Sequence, residues 1–172
     1  MPFRRQPLRD AADRAYGAIV GQARFPEFFT ALDVPDTLDG RFELICLHAF
    51  LFLRRLKSEG AAAASLGQHI VDTMFADFDR SLREIGTGDL SVGRQVKRMA
   101  EAFYGRIRAY EDGLAGEDEA LRAALQRNVY GTASASPEQL ARLAAYLRRE
   151  TEGLAAQPTS SLLAGEITFG TP

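Results

Sequence analysis

A chain of 172 residues is long enough to bury a substantial core and short enough to be a single domain. Its 46% hydrophobic and 26% charged residues are those of a soluble globular protein, and a net charge of −2 excludes a generally basic nucleic-acid binder, though not a local basic patch. One cysteine, Cys46, permits no internal disulfide and points to a reducing compartment.

The N-terminus carries too many charges for a secretory apolar region, and Asp10 and Asp13 are wrong for an organellar transit peptide. Residues 1–9 read as disordered. A first helix is expected from about Asp10, as N-cap, to Arg24, with Tyr16, Ile19, Val20 and Ala23 on one face. Pro26 ends it, and a short helix follows. Val34-Pro35-Asp36 is a turn, because the residue before proline resists helix, and Asp36 or Asp39 is placed to cap the next element.

That element, about 37–58, is apolar nearly all round and reads as the spine of the core. Only Glu43, Arg54 and Lys57 share a polar strip on it, and Gly60 stops it. The apolar run Leu44–Leu53 is about half of what a helix needs to span a bilayer.

A helical hairpin follows, at about 62–112. Ile70, Met74, Phe78, Leu82 and Ile85 form one buried face, and Val92, Val96, Met99, Phe103, Ile107 and Tyr110 form the other. Gly86 is placed for the left-handed cap, with Gly88 completing the turn and Asp89 or Ser91 capping the second helix. After Tyr110 a polar break, 111–119, leads to a helix at about 117–130 and a loop at 131–135. Ser136-Pro137-Glu138-Gln139 is a strong helix start, and the helix it opens runs to about Ala156. Pro158 precedes a last short turn at 160–163, with a loose tail at 165–172. Nothing alternates with period two for long. The expected fold is all-α: one domain over 10–164, six or seven helices around a buried central one.

The second helix of the hairpin turns Arg94, Lys97, Arg98, Glu101, Tyr104, Gly105 and Arg108 away from its apolar stripe. Ser91–Tyr110 holds five basic residues and one acidic one. Gly105, mid-helix on that outer face, costs about 1 kcal/mol against alanine. From spacing alone, a solvated face with a tolerated glycine is the simpler account. Docking of another molecule is the sharper one.

Candidates for chemistry are few. His48 and His69 have no partner at helical metal spacing, and Cys46 sits between Ile45 and Leu47, so a hydrogen-bonded core histidine and an inert thiol are expected. Asp72, Asp77 and Asp79 could hold magnesium for isoprenoid or lipid chemistry, but a second facing aspartate motif is missing, and Arg83 offers Asp79 a surface ion pair. Gly86–Gly93 lacks the preceding strand and the lysine of a phosphate loop. No Ser-His-Asp or Cys-His set is visible. No catalytic residue, metal or cofactor is expected, which favours a binding or assembly protein.

Tyr16-Gly-Ala-Ile-Val-Gly-Gln-Ala-Arg24, Val34-Pro-Asp-Thr37, Gly40-Arg-Phe-Glu43 and Leu53-Arg-Arg-Leu56 on the His48 helix resemble the ubiquinol–cytochrome c chaperone family. So do Phe75-Ala-Asp-Phe-Asp-Arg80, Leu82-Arg-Glu-Ile-Gly-Thr-Gly-Asp-Leu90, Lys97-Arg-Met99 and Phe103-Tyr-Gly-Arg106, in the family's order. The resemblance implies a non-enzymatic assembly factor for respiratory complex III, the cytochrome bc1 complex, with cytochrome b or another assembly intermediate as client. Its mitochondrial members act with a small partner protein close to the ribosome's exit. This chain has no long targeting extension and so resembles a bacterial member, for which the client carries over more directly than the partner protein or the ribosome contact.

The resemblance also shifts the outer face of the hairpin towards docking, with Arg106 added to Arg94, Lys97, Arg98, Glu101, Tyr104, Gly105 and Arg108. The implied setting is cytoplasmic, at the cytoplasmic face of the inner membrane, with peripheral membrane association and no DNA. Competing readings are the aspartate-based lipid enzyme, an RNA- or ribosome-docking module on the same ridge, and a self-interface through Tyr104 and Gly105.

Overall fold

The computed structural model describes residues 5–172, and all regular structure among them is helical. In chain order the elements are α1 (Arg5–Ala23), α2 (Glu27–Thr30), α3 (Leu38–Leu56), α4 (Ala61–Glu84), α5 (Asp89–Ala115), α6 (Asp118–Leu125), a π-helical turn (Gln126–Tyr130), α7 (Pro137–Ala156) and α8 (Thr159–Leu163). The expected all-α fold is the observed one.

α3 is the central helix. Every residue from Phe42 to Phe52 is buried. α1, α4, α5, α7 and the π-turn pack around it. Its cap is Thr37, whose hydroxyl accepts from Gly40 N at 3.1 Å, and not Asp36 or Asp39. Asp36 is drawn off by Arg41 at 2.7 Å. The helix ends at Leu56, before Gly60, which instead opens α4 with a φ of 88°.

α1 starts earlier than expected. Pro7 lies in its first turn, where the missing N–H has no intrahelical partner to lose, so Asp10 is inside the helix and caps nothing. Of the expected disordered N-terminus, residues 5–9 are therefore helical and 1–4 lie outside the described residues.

The hairpin is α4 and α5. α4 buries Leu66, Ile70, Met74, Phe78 and Leu82, while Ile85, at the cap, is 62% exposed. Gly86 takes a φ of 87°, Thr87 N bonds Leu82 O and Gly86 N bonds Arg83 O, the paired closure of a left-handed helix end. Neither Asp89 nor Ser91 caps α5. Gly88 holds that position without a side-chain bond, and Arg83 takes the Asp89 carboxylate at 2.6 Å. α5 also runs past the expected break to Ala115, because Glu111 pairs with Arg54 at 3.1 Å and Gly113 is buried.

The helix expected over 117–130 is α6 closing in the π-turn. The Gln126 side chain bonds both Ala133 O and Ala135 N and so holds the following loop. Ser136 and Gln139 form the expected reciprocal cap of α7.

The expected loose tail is laced down. The Gln157 amide bonds Thr168 through both its N–H and its C=O, Glu150 accepts from Gly170 N at 2.8 Å, and Gln22 donates to Gly170 O at 2.7 Å. Phe169 meets the His48 ring edge-on at 5.3 Å. Gly165, with a φ of 80°, brings the chain so close that a Cβ would stand 2.1 Å from Ala11 O. These bonds join main chain to distant side chains, so no local periodicity announces them.

Candidate docking surface

α5 presents two faces beyond its buried stripe. Arg94, Lys97, Glu101, Tyr104, Gly105 and Arg108 are exposed, Tyr104 at 59%, and among the described residues none of the four basic or acidic groups Arg94, Lys97, Glu101 and Arg108 forms an ion pair. A Cβ at Gly105 would meet nothing within 4 Å. Packing inside the molecule therefore gives no reason for a glycine there.

Arg98 and Arg106 turn the other way, into an open groove of about 960 Å³ between α5, the ends of α1 and α4, the start of α3 and the π-turn. The expected set of ridge residues is thus divided between a ridge and a groove wall. The helix register explains the split, since Gln95, Arg98, Ala102 and Arg106 recur at three- or four-residue spacing.

Arg106 reaches the groove floor and forms a two-pronged ion pair with Glu43. Its guanidinium also lies 5.5 Å from the Phe42 ring centroid, a cation–π distance. Burial pushes the Glu43 carboxyl up, and Arg106 pulls it part of the way back. Such a pair, gripping both carboxylate oxygens, fixes α5 against α3. The sequence carried one signal for it. Glu43 stands on a buried helix with no basic residue at i±3 or i±4, so its partner had to come from another element.

The three aspartates do not converge. Asp72 bonds Gln68 at 2.8 Å and Asp79 bonds Arg83 at 2.6 Å, both on their own helix. Asp77 accepts from the Tyr16 hydroxyl at 2.8 Å and from Arg80 at 2.7 Å. Among the described residues no three acidic, histidine or cysteine side chains group as a metal site.

His48 is the hydrogen-bonded core residue expected of it. Its Nδ1 lies 2.7 Å from Leu44 O and its Nε2 2.8 Å from the Tyr146 hydroxyl. Burial lowers its pKa to about 4, so the ring is neutral. Burial also pushes the Cys46 thiol well up, which suppresses the nucleophilic thiolate.

Comparison with known proteins agrees with this all-helical architecture. Residues 30–169 match the ubiquinol-cytochrome C chaperone family. The chain is 29% identical over 170 residues to the ubiquinol-cytochrome-c reductase complex assembly factor 1 of Xenopus laevis, which spans 98% of this chain and 85% of that protein. The Mus musculus assembly factor 1 is also 29% identical, but the chain covers 58% of it, less than two thirds of its length. In structure, the Cbp3 homolog from Brucella abortus aligns with a TM-score of 0.86 at 39% identity, over 98% of this chain and 94% of that one. With most of its length matched and its fold shared, this chain belongs to the ubiquinol-cytochrome C chaperone family, a family of assembly chaperones and not of enzymes.

Proposed function

We propose that this chain assists assembly of the cytochrome bc1 complex by holding unassembled cytochrome b on the outer ridge of α5. The supporting observation is an exposed row of cations, Arg94, Lys97 and Arg108, without carboxylate partners among the described residues, beside Tyr104 and a glycine that internal packing does not require. Unpaired surface cations attract acidic loops at long range while adding little fixed affinity, which suits a hold that must later release. Tyrosine supplies a rigid apolar contact, and the missing side chain at Gly105 lets a partner backbone approach.

The proposed setting is the cytoplasmic face of the inner membrane. No helix among the described residues is long and apolar enough to cross a membrane. The same ridge would gain about 1 kcal/mol per cation from anionic headgroups near an inserting client.

The test is made in the native cell. Arg94, Lys97 and Arg108 are replaced together by glutamate, and cytochrome b capture and complex III activity are measured beside the helical signal of the purified variant. Loss of capture with helicity intact is expected. Full capture would overturn the ridge, and normal complex III after deletion of the whole chain would overturn the function. Salt-sensitive binding of ribosomal RNA without capture of cytochrome b would move the ridge to the ribosome instead.

A further inference from the structure

We infer that the groove beside the ridge is a second docking site, shaped and charged for an extended acidic segment of a partner protein. This inference does not rest on cytochrome b being the client.

The groove's charges leave a clear surplus. Arg41 is paired with Asp36, Arg106 with Glu43, and Asp77 is held by Arg80 and Tyr16. Arg24 at the end of α1, Arg98 on α5 and Arg127 in the π-turn remain, all exposed and without ion pairs among the described residues, against Asp39 alone. Three cations from three separate elements surround an apolar interior that includes Phe42, Phe78 and Met99.

Length and charge together point to the occupant. The α5 wall runs from Gln95 to Arg106, which at 1.5 Å per residue is roughly 16 Å, too long for one small anion. The unpaired cations stand on three separate elements along that length, and an extended segment, whose side chains alternate between opposite sides, can meet them while turning its other side to the apolar lining. At about 3.3 Å per residue, some five residues fill the groove. Alternation then places acidic side chains towards the three arginines and apolar ones towards Phe42, Phe78 and Met99. Guanidinium groups suit this role because each can grip both oxygens of one carboxylate.

The experiment is fluorescence anisotropy with the full chain and a labelled pentapeptide alternating Glu or Asp with Leu or Phe. Its controls are the Gln/Asn version of the peptide and vesicles of phosphatidylglycerol. The acidic peptide should bind with a Kd on the order of 10 μM. The Arg24→Glu/Arg127→Glu pair should weaken binding by about tenfold or more, while Arg94→Glu/Lys97→Glu, an equal change of net charge on the ridge, leaves it within about twofold. Gln95→Trp, which fills the groove at an exposed position without changing charge, should also abolish binding. Equal losses from both charge pairs, equal binding of the neutral peptide, full binding by Gln95→Trp, or binding of vesicles alone would each overturn the site. Loss of cytochrome b capture in the ridge variant with peptide binding intact separates the two surfaces.

Discussion

The Tyr146 hydroxyl lies 2.8 Å from Nε2 of His48, deep between α7 and α3. On the other side of the ring, Leu44 O can only accept, so Nδ1 carries the proton and Nε2 receives one from Tyr146. The hydroxyl in turn accepts from Gln22 Nε2 at 2.9 Å, and the same amide reaches the tail at Gly170 O. One oxygen thus links α1, α3 and α7.

Tyr146→Phe strands the His48 nitrogen in the core and takes one acceptor from Gln22. A loss of about 1–2 kcal/mol is expected. Thermal unfolding checks it, as a midpoint lowered by about 2–8 °C for a chain of this size.

His48 makes stability fall in acid. Its folded pKa is about 4, below the ordinary value of 6.5, so between those limits the unfolded chain binds more protons than the folded one. The contribution is complete above about pH 6.5 and is lost as the pH falls towards 4, with a ceiling on the order of 3 kcal/mol. His48→Gln should flatten the unfolding midpoint over this window. An unchanged slope would place the titration elsewhere.

The groove-floor ion pair is asymmetric. Arg106→Ala leaves Glu43, 5% exposed, without its cation, and about 3 kcal/mol of stability should go with it. Glu43→Gln leaves Arg106 stacked on Phe42 with an outlet to solvent, and a smaller loss of about 1–2 kcal/mol is expected. Denaturant titration of the two variants measures the order directly. A larger loss at Glu43 would contradict the burial argument.

Gly105→Ala gives opposite signs for two properties. Helix propensity raises stability by about 1 kcal/mol, since the new methyl meets nothing within 4 Å. If the ridge receives a partner closely, cytochrome b capture falls at the same time. A stabilised variant with full capture would show that the glycine has no docking role.

Much of the architecture could be read from periodicity and punctuation. The buried faces of α3 and α4, the Gly86 turn and the Ser136–Gln139 cap are local, decided within one or two turns of helix. What escaped reading depends on distance. Arg106 and Glu43 are far apart in the chain, so their pairing had no local signature, and Arg106, set on the ridge by the family resemblance alone, belongs to the groove floor. Asp10 looked like an N-cap, but α1 starts at Arg5 because a proline in the first turn, Pro7, costs the helix no hydrogen bond. The 165–172 stretch has no pattern of its own, because its bonds go to side chains on α1, on α7 and at the residue that ends α7, Gln157.

Those last bonds set an order of events at the ribosome. Ala164 O receives Arg14, and Gly165 lies against Ala11, so the first long helix finds its full seat only when residues more than a hundred positions later have emerged. α1 can lay its apolar side on α3 and α4 as soon as α4 has emerged, but the clasp over Ala11 and Arg14 closes only with the arrival of residues 164–165, as a late, separate step.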